Sequence, residues 1–290
     1  MKKIISIILL LCMVLSLSAC GKVEVTMQEI YEASHLNGLL ENHESVYVKS
    51  VESGVPYEEC YVSKDYSYSR YFSEYFGISS DFAFFVTDHA SYSYADDSYL
   101  RTVLISPDGL TENYRTEDYE VIMFAPDTVQ ETIQSITKQG DRITVVSGLP
   151  QESNDAADAV GLVSYTGEYV LDAKTRELIS SKSVSGYNDG SVYDIVSEFS
   201  YDAELPELLK AFLAYDQQTE DLRTITVVSN PGTENEITQS VQVPKGLPIS
   251  IESALYTDTF TMYADAACTE IFDFSEDYDA DATIYVTWDN

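Results

Sequence analysis

Positive charge and histidine are scarce in this chain. It carries 16 Lys and Arg residues against 49 Asp and Glu residues, a formal net charge of −33 at pH 7, and only 3 His residues. Loss of residues 1–19 would remove two lysines and no acidic residue, leaving 14 basic against 49 acidic residues and a net charge of −35. Nucleic acid and anionic membrane surfaces both repel such a polyanion. The composition therefore excludes a nucleic-acid-binding protein and favours a body that stands away from the bilayer.

Cysteine is also rare, with 4 in 290 residues. Cys12 lies in the apolar N-terminal run and Cys20 directly after it, so Cys60 and Cys268 remain for the body of the protein. They can form one disulfide or stay as two buried thiols. The sequence favours thiols, because the segment around each cysteine is large enough to hold a core without a covalent link.

The N-terminus has the pattern of an export signal. Met1-Lys2-Lys3 is followed by an apolar run, residues 4–17, which is too short for a bilayer that needs about 20 residues. Residues 17–21, Leu-Ser-Ala-Cys-Gly, resemble the lipobox of bacterial lipoproteins, in which a small residue precedes the lipidated cysteine. The resemblance implies cleavage after residue 19 and a diacylglyceryl group on Cys20, and two acyl chains make such an anchor stable.

The mature chain alternates between helix and strand patterns and predicts an α+β fold. Thr26 and Glu29 form a capping box for a first helix, residues 127–138 have helical spacing between Pro126 and Gly140, and a third helix is predicted over residues 206–215. Alternating runs between and after these helices predict strands. We predict a signal peptide at 1–19, a tether at 20–25, an α+β domain at 26–215, a linker at 216–222 and a β domain at 223–290.

The C-terminal segment, residues 223–290, contains a spaced set of motifs. Val243-Pro-Lys-Gly246 is followed by residues 262–269, Met-Tyr-Ala-Asp-Ala-Ala-Cys-Thr, and by residues 279–288, Asp-Ala-Asp-Ala-Thr-Ile-Tyr-Val-Thr-Trp. These motifs resemble the Listeria–Bacteroides repeat, a small β-grasp-like module. The approach to the middle strand, residues 254–260, departs from the family pattern. The resemblance implies a spacer or protein-interaction module on the cell surface.

The segment 26–215 resembles the LolA/LppX-like lipoproteins in its order of elements. Residues 169–178, Tyr-Val-Leu-Asp-Ala-Lys-Thr-Arg-Glu-Leu, match a hairpin of that group, and residues 196–206 match its closing strand. The resemblance implies an antiparallel half-barrel-like sheet whose concave side is filled by helices. Several members of the group carry lipids or lipoproteins.

Motifs for catalysis, metals and nucleotides are missing from the sequence. His43-Glu44 lacks the second His of a zinc-protease motif, and no P-loop, G-x-G-x-x-G or G-x-S-x-G pattern occurs. Asp277, Asp279 and Asp281 have the spacing of a calcium loop, but Ala282 and Trp288 stand where Gly and Glu are needed. We therefore predict no cofactor, no metal site and no enzymatic activity.

Tyrosine is abundant, with 23 residues, and two pairs have strand spacing. Tyr66 and Tyr68, and likewise Tyr92 and Tyr94, point to one face of a strand because side chains alternate with period two. Such a face either lines an amphipathic pocket or packs as ordinary sheet core. The four tyrosines are the candidate ligand-binding residues.

These patterns predict an extracytoplasmic lipoprotein with a non-catalytic binding role. The expected partners are the lipid bilayer, through diacylglyceryl-Cys20, and an apolar ligand or a surface protein or glycan. The first alternative is a structural or adhesive surface protein without a small-molecule ligand. The second is a carbohydrate-active enzyme, whose two carboxylates the sequence does not select.

Overall fold

A computed structural model describes residues 23–75, 78–95, 97–111, 131–149, 161–254, 259–273 and 279–289. Strands account for 59 % and helices for 9 % of this structure, so the protein is mostly β and the predicted α+β class is wrong. The many β-branched and aromatic residues suit a pleated surface, and pairing with neighbouring strands selects that conformation even where apolar spacing is helical. The signal peptide at 1–19 and the lipidation site Cys20 lie outside the described residues.

The helices are α1 (Met27–Ser34), α2 (Leu36–Leu39) and α3 (Glu207–Asp216). The first strands in chain order are β1 (Ser45–Glu52), β2 (Val55–Ser63), β3 (Tyr66–Tyr75), β4 (Ile78–Thr87), β5 (Ser91–Ala95), β6 (Ser98–Ser106) and β7 (Gly109–Leu110). The next are β8 (Thr132–Gln139), β9 (Arg142–Gly148), β10 (Leu162–Asp172), β11 (Leu178–Tyr187) and β12 (Val192–Tyr201). The last are β13 (Leu222–Ser229), β14 (Ile237–Pro244), β15 (Ile249–Ser253), β16 (Thr259–Tyr263) and β17 (Ala282–Asp289).

Contacts between Cα atoms divide the chain into two compact units. Among the described residues, the first unit comprises 23–41, 52–54, 131–149 and 161–199. The second comprises the described residues of 42–51, 55–111 and 200–289. Residues 223–289 therefore share a unit with strands from the N-terminal half. Whether 223–290 folds alone stays a prediction.

The first unit is an antiparallel sheet in the order β8-β9-β10-β11-β12. Alternation is clear along β10, where Tyr165, Tyr169 and Leu171 are buried. Helix α1 begins with the predicted capping box, in which the Thr26 Oγ1 accepts from the Glu29 N–H and Glu29 accepts from the Thr26 N–H. That prediction is confirmed.

The helix predicted over 127–138 is wrong where the structure describes it, because residues 132–139 form β8. Gly140, with φ +66°, belongs to the turn between β8 and β9 and does not end a helix. A register shift between Ile133 and Ser135 inserts one extra residue into β8. The bulge sets Ile133 opposite Ser147 and Ile136 opposite Val145. These two isoleucines therefore lie on the same face of β8 although they are three residues apart. This bulge explains why the spacing resembles a helix.

The second unit contains a sheet in the order β15-β6-β5-β4-β3-β2-β1, with β7 paired to β6. Strands β2 to β6 pair antiparallel, whereas β15 joins β6 in parallel, from Ile249 opposite Arg101 to Ser253 opposite Ile105. Helix α3 covers one face of this sheet. It confirms the helix predicted over residues 206–215. Its Leu209 and Phe212 are completely buried against Tyr68, Phe85 and Tyr92.

A smaller sheet in the second unit has the order β14-β13-β17-β16. Strand β13 pairs antiparallel with β14 and parallel with β17. Its apolar face shares one core with β6 and β15, formed by Val103, Ile105, Ile225, Val227, Val243, Ile249, Ile251, Ile284 and Val286. The C-terminal strands therefore bury their apolar side chains partly against residues of the N-terminal half.

Cys60 and Cys268 form no disulfide. Cys60 lies in β2 and is a buried thiol, as the sequence predicts. Cys268 lies in a turn with φ +51° and is partly exposed. Among the described residues, none of the helices is both long and apolar enough to cross a membrane.

Candidate functional site

The second unit encloses a pocket of about 380 Å³ beside the end of α3. Its polar lining residues are His89, Arg101, Thr111, Tyr215, Asp216, Gln218, Ser240 and Gln242. Its apolar lining residues are Val103, Leu110, Leu222, Val241 and Pro244. A concave site that combines apolar surface with a few charged groups is the usual form of a small-molecule site.

Local structure places the charged residues at this pocket. Arg101 and Val103 lie two residues apart on β6, so both side chains point to the same face. Asp216 is the last residue of α3. His89 lies in the turn between β4 and β5, where the Thr87 Oγ1 accepts from the N–H groups of His89 and Ala90 at 3.3 and 3.0 Å.

Arg101 is a cation on the buried face of a strand, with 7 % of its surface exposed. Its Nη1 donates to the carbonyl oxygen of Gln242 at 3.2 Å and to the Tyr92 hydroxyl at 3.4 Å, and its guanidinium carbon lies 5.5 Å from the centre of the Tyr92 ring. Its Nε is buried and bonds to no other described residue. A buried donor without an acceptor costs about 1–3 kcal/mol, so the fold holds this guanidinium in place at a cost in stability.

Asp216 supplies the opposite charge in the same pocket. The Tyr92 hydroxyl donates to its Oδ1 at 3.3 Å, and the His89 Nε2 lies 3.7 Å from that oxygen. Burial raises the pKa of the Tyr92 hydroxyl, and the Asp216 carboxylate adds to the rise while Arg101 opposes it. The phenol therefore stays protonated and links Arg101 to Asp216.

The four predicted tyrosines lie around α3, and none of them is among the residues that line the pocket. Tyr68 and Tyr92 are 0 and 1 % exposed, and Tyr66 and Tyr94 are partly buried at the edge of the same core. The Tyr94 hydroxyl donates to Asp97 at 2.8 Å, and the Tyr66 ring stacks on Tyr61 with centroids 6.1 Å apart. Only Tyr92 bonds to pocket residues. Ligand binding by the set of four stays a prediction.

Arg101 and Asp216 were not among the residues selected from the sequence. A signal for Arg101 exists, because the alternation of Tyr99, Val103 and Ile105 places this arginine on the apolar face of its strand. No comparable signal exists for Asp216, which ends α3 and begins a polar segment of the sequence.

A second polar cluster lies in the first unit, around Glu131. Tyr169 donates to Glu131 at 3.1 Å, Ser147 also donates to this carboxyl, and the Tyr165 hydroxyl lies 3.1 Å from that of Tyr169. Burial raises the pKa of Glu131, and the hydroxyl donors partly counter the rise. The cluster is a buried carboxyl saturated with internal donors, which leaves it little capacity for a ligand.

Metal ligands are not assembled in the part of the chain that the structure covers, where no group of three or more His, Cys, Asp or Glu residues is placed to hold an ion. Asp277 of the candidate calcium loop lies outside the described residues. Asp281 accepts a hydrogen bond from the Thr224 N–H at 2.6 Å, which ties the loop to β13.

No protein-family model and no curated protein matches this sequence. Among solved structures, the lipoprotein LppX of Mycobacterium tuberculosis is similar with a TM-score of 0.33 and 10 % identity, over 62 % of this chain and 96 % of that one. LprF of Mycobacterium bovis gives 0.32 and 13 %, over 62 and 94 %. The MucA/MucB complex of Pseudomonas aeruginosa gives 0.26 and 11 %, over 74 % of each chain.

LppX belongs to the group that residues 26–215 resemble in their order of elements. At these TM-scores and identities, the likeness carries no conclusion about ligand or location. The lipobox and the Listeria–Bacteroides resemblance stay predictions.

Proposed function

We propose that this protein is an extracytoplasmic lipoprotein, anchored through Cys20, that binds a small amphipathic ligand without converting it. The observation that supports binding is the pocket of about 380 Å³ in the second unit. Its volume falls at the lower end of the range of about 300–1,000 Å³ that is typical of ligand pockets. Val103, Leu110 and Val241 offer an apolar wall, and Arg101 and Asp216 offer a charged one.

The pocket replaces the tyrosine face as the proposed binding site. Tyr68 and Tyr92 are covered by Phe212 of α3, whereas the pocket residues are open to a ligand. Because Phe212 covers the tyrosines, this face of the sheet fits the alternative of a structural surface protein. That alternative does not extend to the pocket, whose buried cation retains an unpaired donor.

A dye-binding titration tests the proposal. We expect saturable fluorescence enhancement of an uncharged aromatic probe, N-phenyl-1-naphthylamine, by the folded protein. Val241→Trp fills the pocket and should weaken binding at least tenfold. Val163→Trp is the matched control, because Val163 is 63 % exposed on β10 of the first unit. Equal binding by both variants would place the dye elsewhere and contradict the proposal.

A further inference from the structure

Two opposite charges share the pocket without forming a direct ion pair among the described residues. The Tyr92 hydroxyl accepts from Arg101 Nη1 at 3.4 Å and donates to Asp216 Oδ1 at 3.3 Å. The charged atoms are therefore no farther apart than the sum of these two distances. Both charged groups also line the pocket, so they are close enough for one small ligand to contact both.

We propose that the pocket recognises small zwitterions of the amino-acid type, with the ligand carboxylate on Arg101 and its ammonium group on Asp216. An apolar ligand side chain would lie against Val103, Leu110 and Val241. This inference rests on the proposed binding function and adds the chemical class of the ligand.

Arg101 is the cation that lines the pocket and can attract a carboxylate. Its Nη1 is occupied by Gln242 and Tyr92, while Nε has no acceptor among the described residues. A guanidinium presents several N–H donors to a carboxylate, and 7 % of the Arg101 surface is exposed. The contacts to Gln242 and Tyr92 hold the planar group in place, so little side-chain freedom is lost on binding.

Asp216 has matching capacity for a cation. Its Oδ1 accepts from Tyr92, and its Oδ2 makes no hydrogen bond within the described part of the chain. The side chain is 12 % exposed at the pocket. The His89 Nε2 lies 3.7 Å from Oδ1, and the His89 side chain is 64 % exposed, so it approaches Asp216 without enclosing it.

The charge balance selects a zwitterion over a simple ion. A simple anion is repelled by Asp216 and by a chain of net charge −33. A simple cation meets the buried guanidinium of Arg101. A zwitterion is neutral overall, avoids the long-range repulsion and pairs with the buried guanidinium and the partly exposed carboxylate at once.

The test uses the full chain purified in detergent. A thermal-shift screen of the twenty L-amino acids identifies the best ligand, and calorimetry then compares it with its methyl ester, which lacks the carboxylate, and its N-acetyl derivative, which lacks the ammonium group. We expect each derivative to bind at least tenfold more weakly than the parent. Equal binding of either derivative, or no stabilisation by any amino acid, would overturn the zwitterion assignment.

Two variants assign each charge. Arg101→Gln should bind the parent amino acid as weakly as the unsubstituted protein binds the methyl ester. Asp216→Asn should bind the parent amino acid as weakly as the unsubstituted protein binds the N-acetyl derivative. Arg101→Lys serves if Arg101→Gln fails to fold, and it should lose most of the carboxylate preference because lysine lacks the planar fork. If the folded variants bind the parent amino acid with unchanged affinity, the assignment is refuted. If Val241→Trp blocks dye binding but the protein binds no amino acid, this inference is refuted and the proposed function stays intact.

Discussion

The ring of Phe212 on α3 stacks on the ring of Phe85 on β4, with centroids 5.6 Å apart and planes inclined by 15°. Phe212 also contacts Tyr68, Tyr92 and Tyr99, and both phenylalanines are completely buried. Phe212 therefore fixes α3 to the sheet together with the buried Leu209, and the last residue of the helix, Asp216, is held at the pocket.

Phe212→Ala should lower the free energy of unfolding by about 3–5 kcal/mol, because it removes a large buried ring and leaves a cavity. Phe84→Ala is the control, since Phe84 lies on the other face of β4 and is 45 % exposed. Urea titration of both variants measures the difference. Losses of equal size would contradict the packing described for α3.

Glu131→Gln should change how stability depends on pH. Burial raises the pKa of Glu131 in the folded protein, so its contribution is most favourable below the ordinary glutamate pKa of about 4.3 and is lost as pH rises through the folded value. The variant lacks this titration, and its stability relative to the parent should increase as pH rises. Glu168→Gln, on the exposed side of β10, is the control. Thermal melts from pH 4 to 8 check the slope, and parallel curves would contradict the prediction.

Asp202→Asn should change how the stability of the fold depends on pH in the acidic range. Asp202 accepts from His43 at 2.8 Å and from the N–H groups of Glu44 and Ser45, and the His43 bond is the main cause of its lowered pKa. A lowered pKa stabilises the fold above the ordinary aspartate value of about 3.9, and this stabilisation is lost as pH falls through the folded value.

The parent should therefore exceed Asp202→Asn in melting temperature at neutral pH, and the two should converge on acidification. Glu204→Gln, an exposed residue nearby, should keep a constant offset from the parent. A constant offset for Asp202→Asn as well would show that this aspartate does not contribute through its charge.

The sequence places a separate β domain at 223–290, but the contacts of its strands lead us to expect that these residues do not fold alone. Strand β15 pairs with β6, and Val103 and Ile105 complete the core of the smaller sheet. The isolated fragment should lack a cooperative melt because that apolar face would meet water. Dispersed amide resonances from the fragment would instead confirm an independent domain.

Cys20→Ala should abolish membrane anchoring, because no thiol remains to accept the diacylglyceryl group. The variant should move from the detergent phase to the aqueous phase in Triton X-114 partitioning, or remain uncleaved. Cys12→Ala is the matched control, since Cys12 lies in the apolar run and should be dispensable. Cleavage before residue 20 with retention in the detergent phase would exclude lipidation at this cysteine.

Several elements follow from local sequence, because their signals act over a few residues. The capping box at Thr26 starts α1, and Asp172 accepts from the N–H groups of Lys174 and Thr175 in the predicted turn between β10 and β11. Strand alternation along β10 and the helix at 207–216 are also visible in the residues themselves. Caps, turns and period-two patterns depend on nearest neighbours, so a sequence is sufficient to predict them.

Tertiary structure alone decided the features that join distant residues. The spacing of Ile133 and Ile136 fits a helix or a bulged strand, and pairing with β9 selected the strand. Arg101 and Asp216 meet through Tyr92, and Tyr92 is 124 residues from Asp216 in sequence. The sequence determined the short-range elements and the acidic character of this protein. The pocket arose only when α3, β6 and β14 packed together, because no local pattern specifies which distant faces share a core.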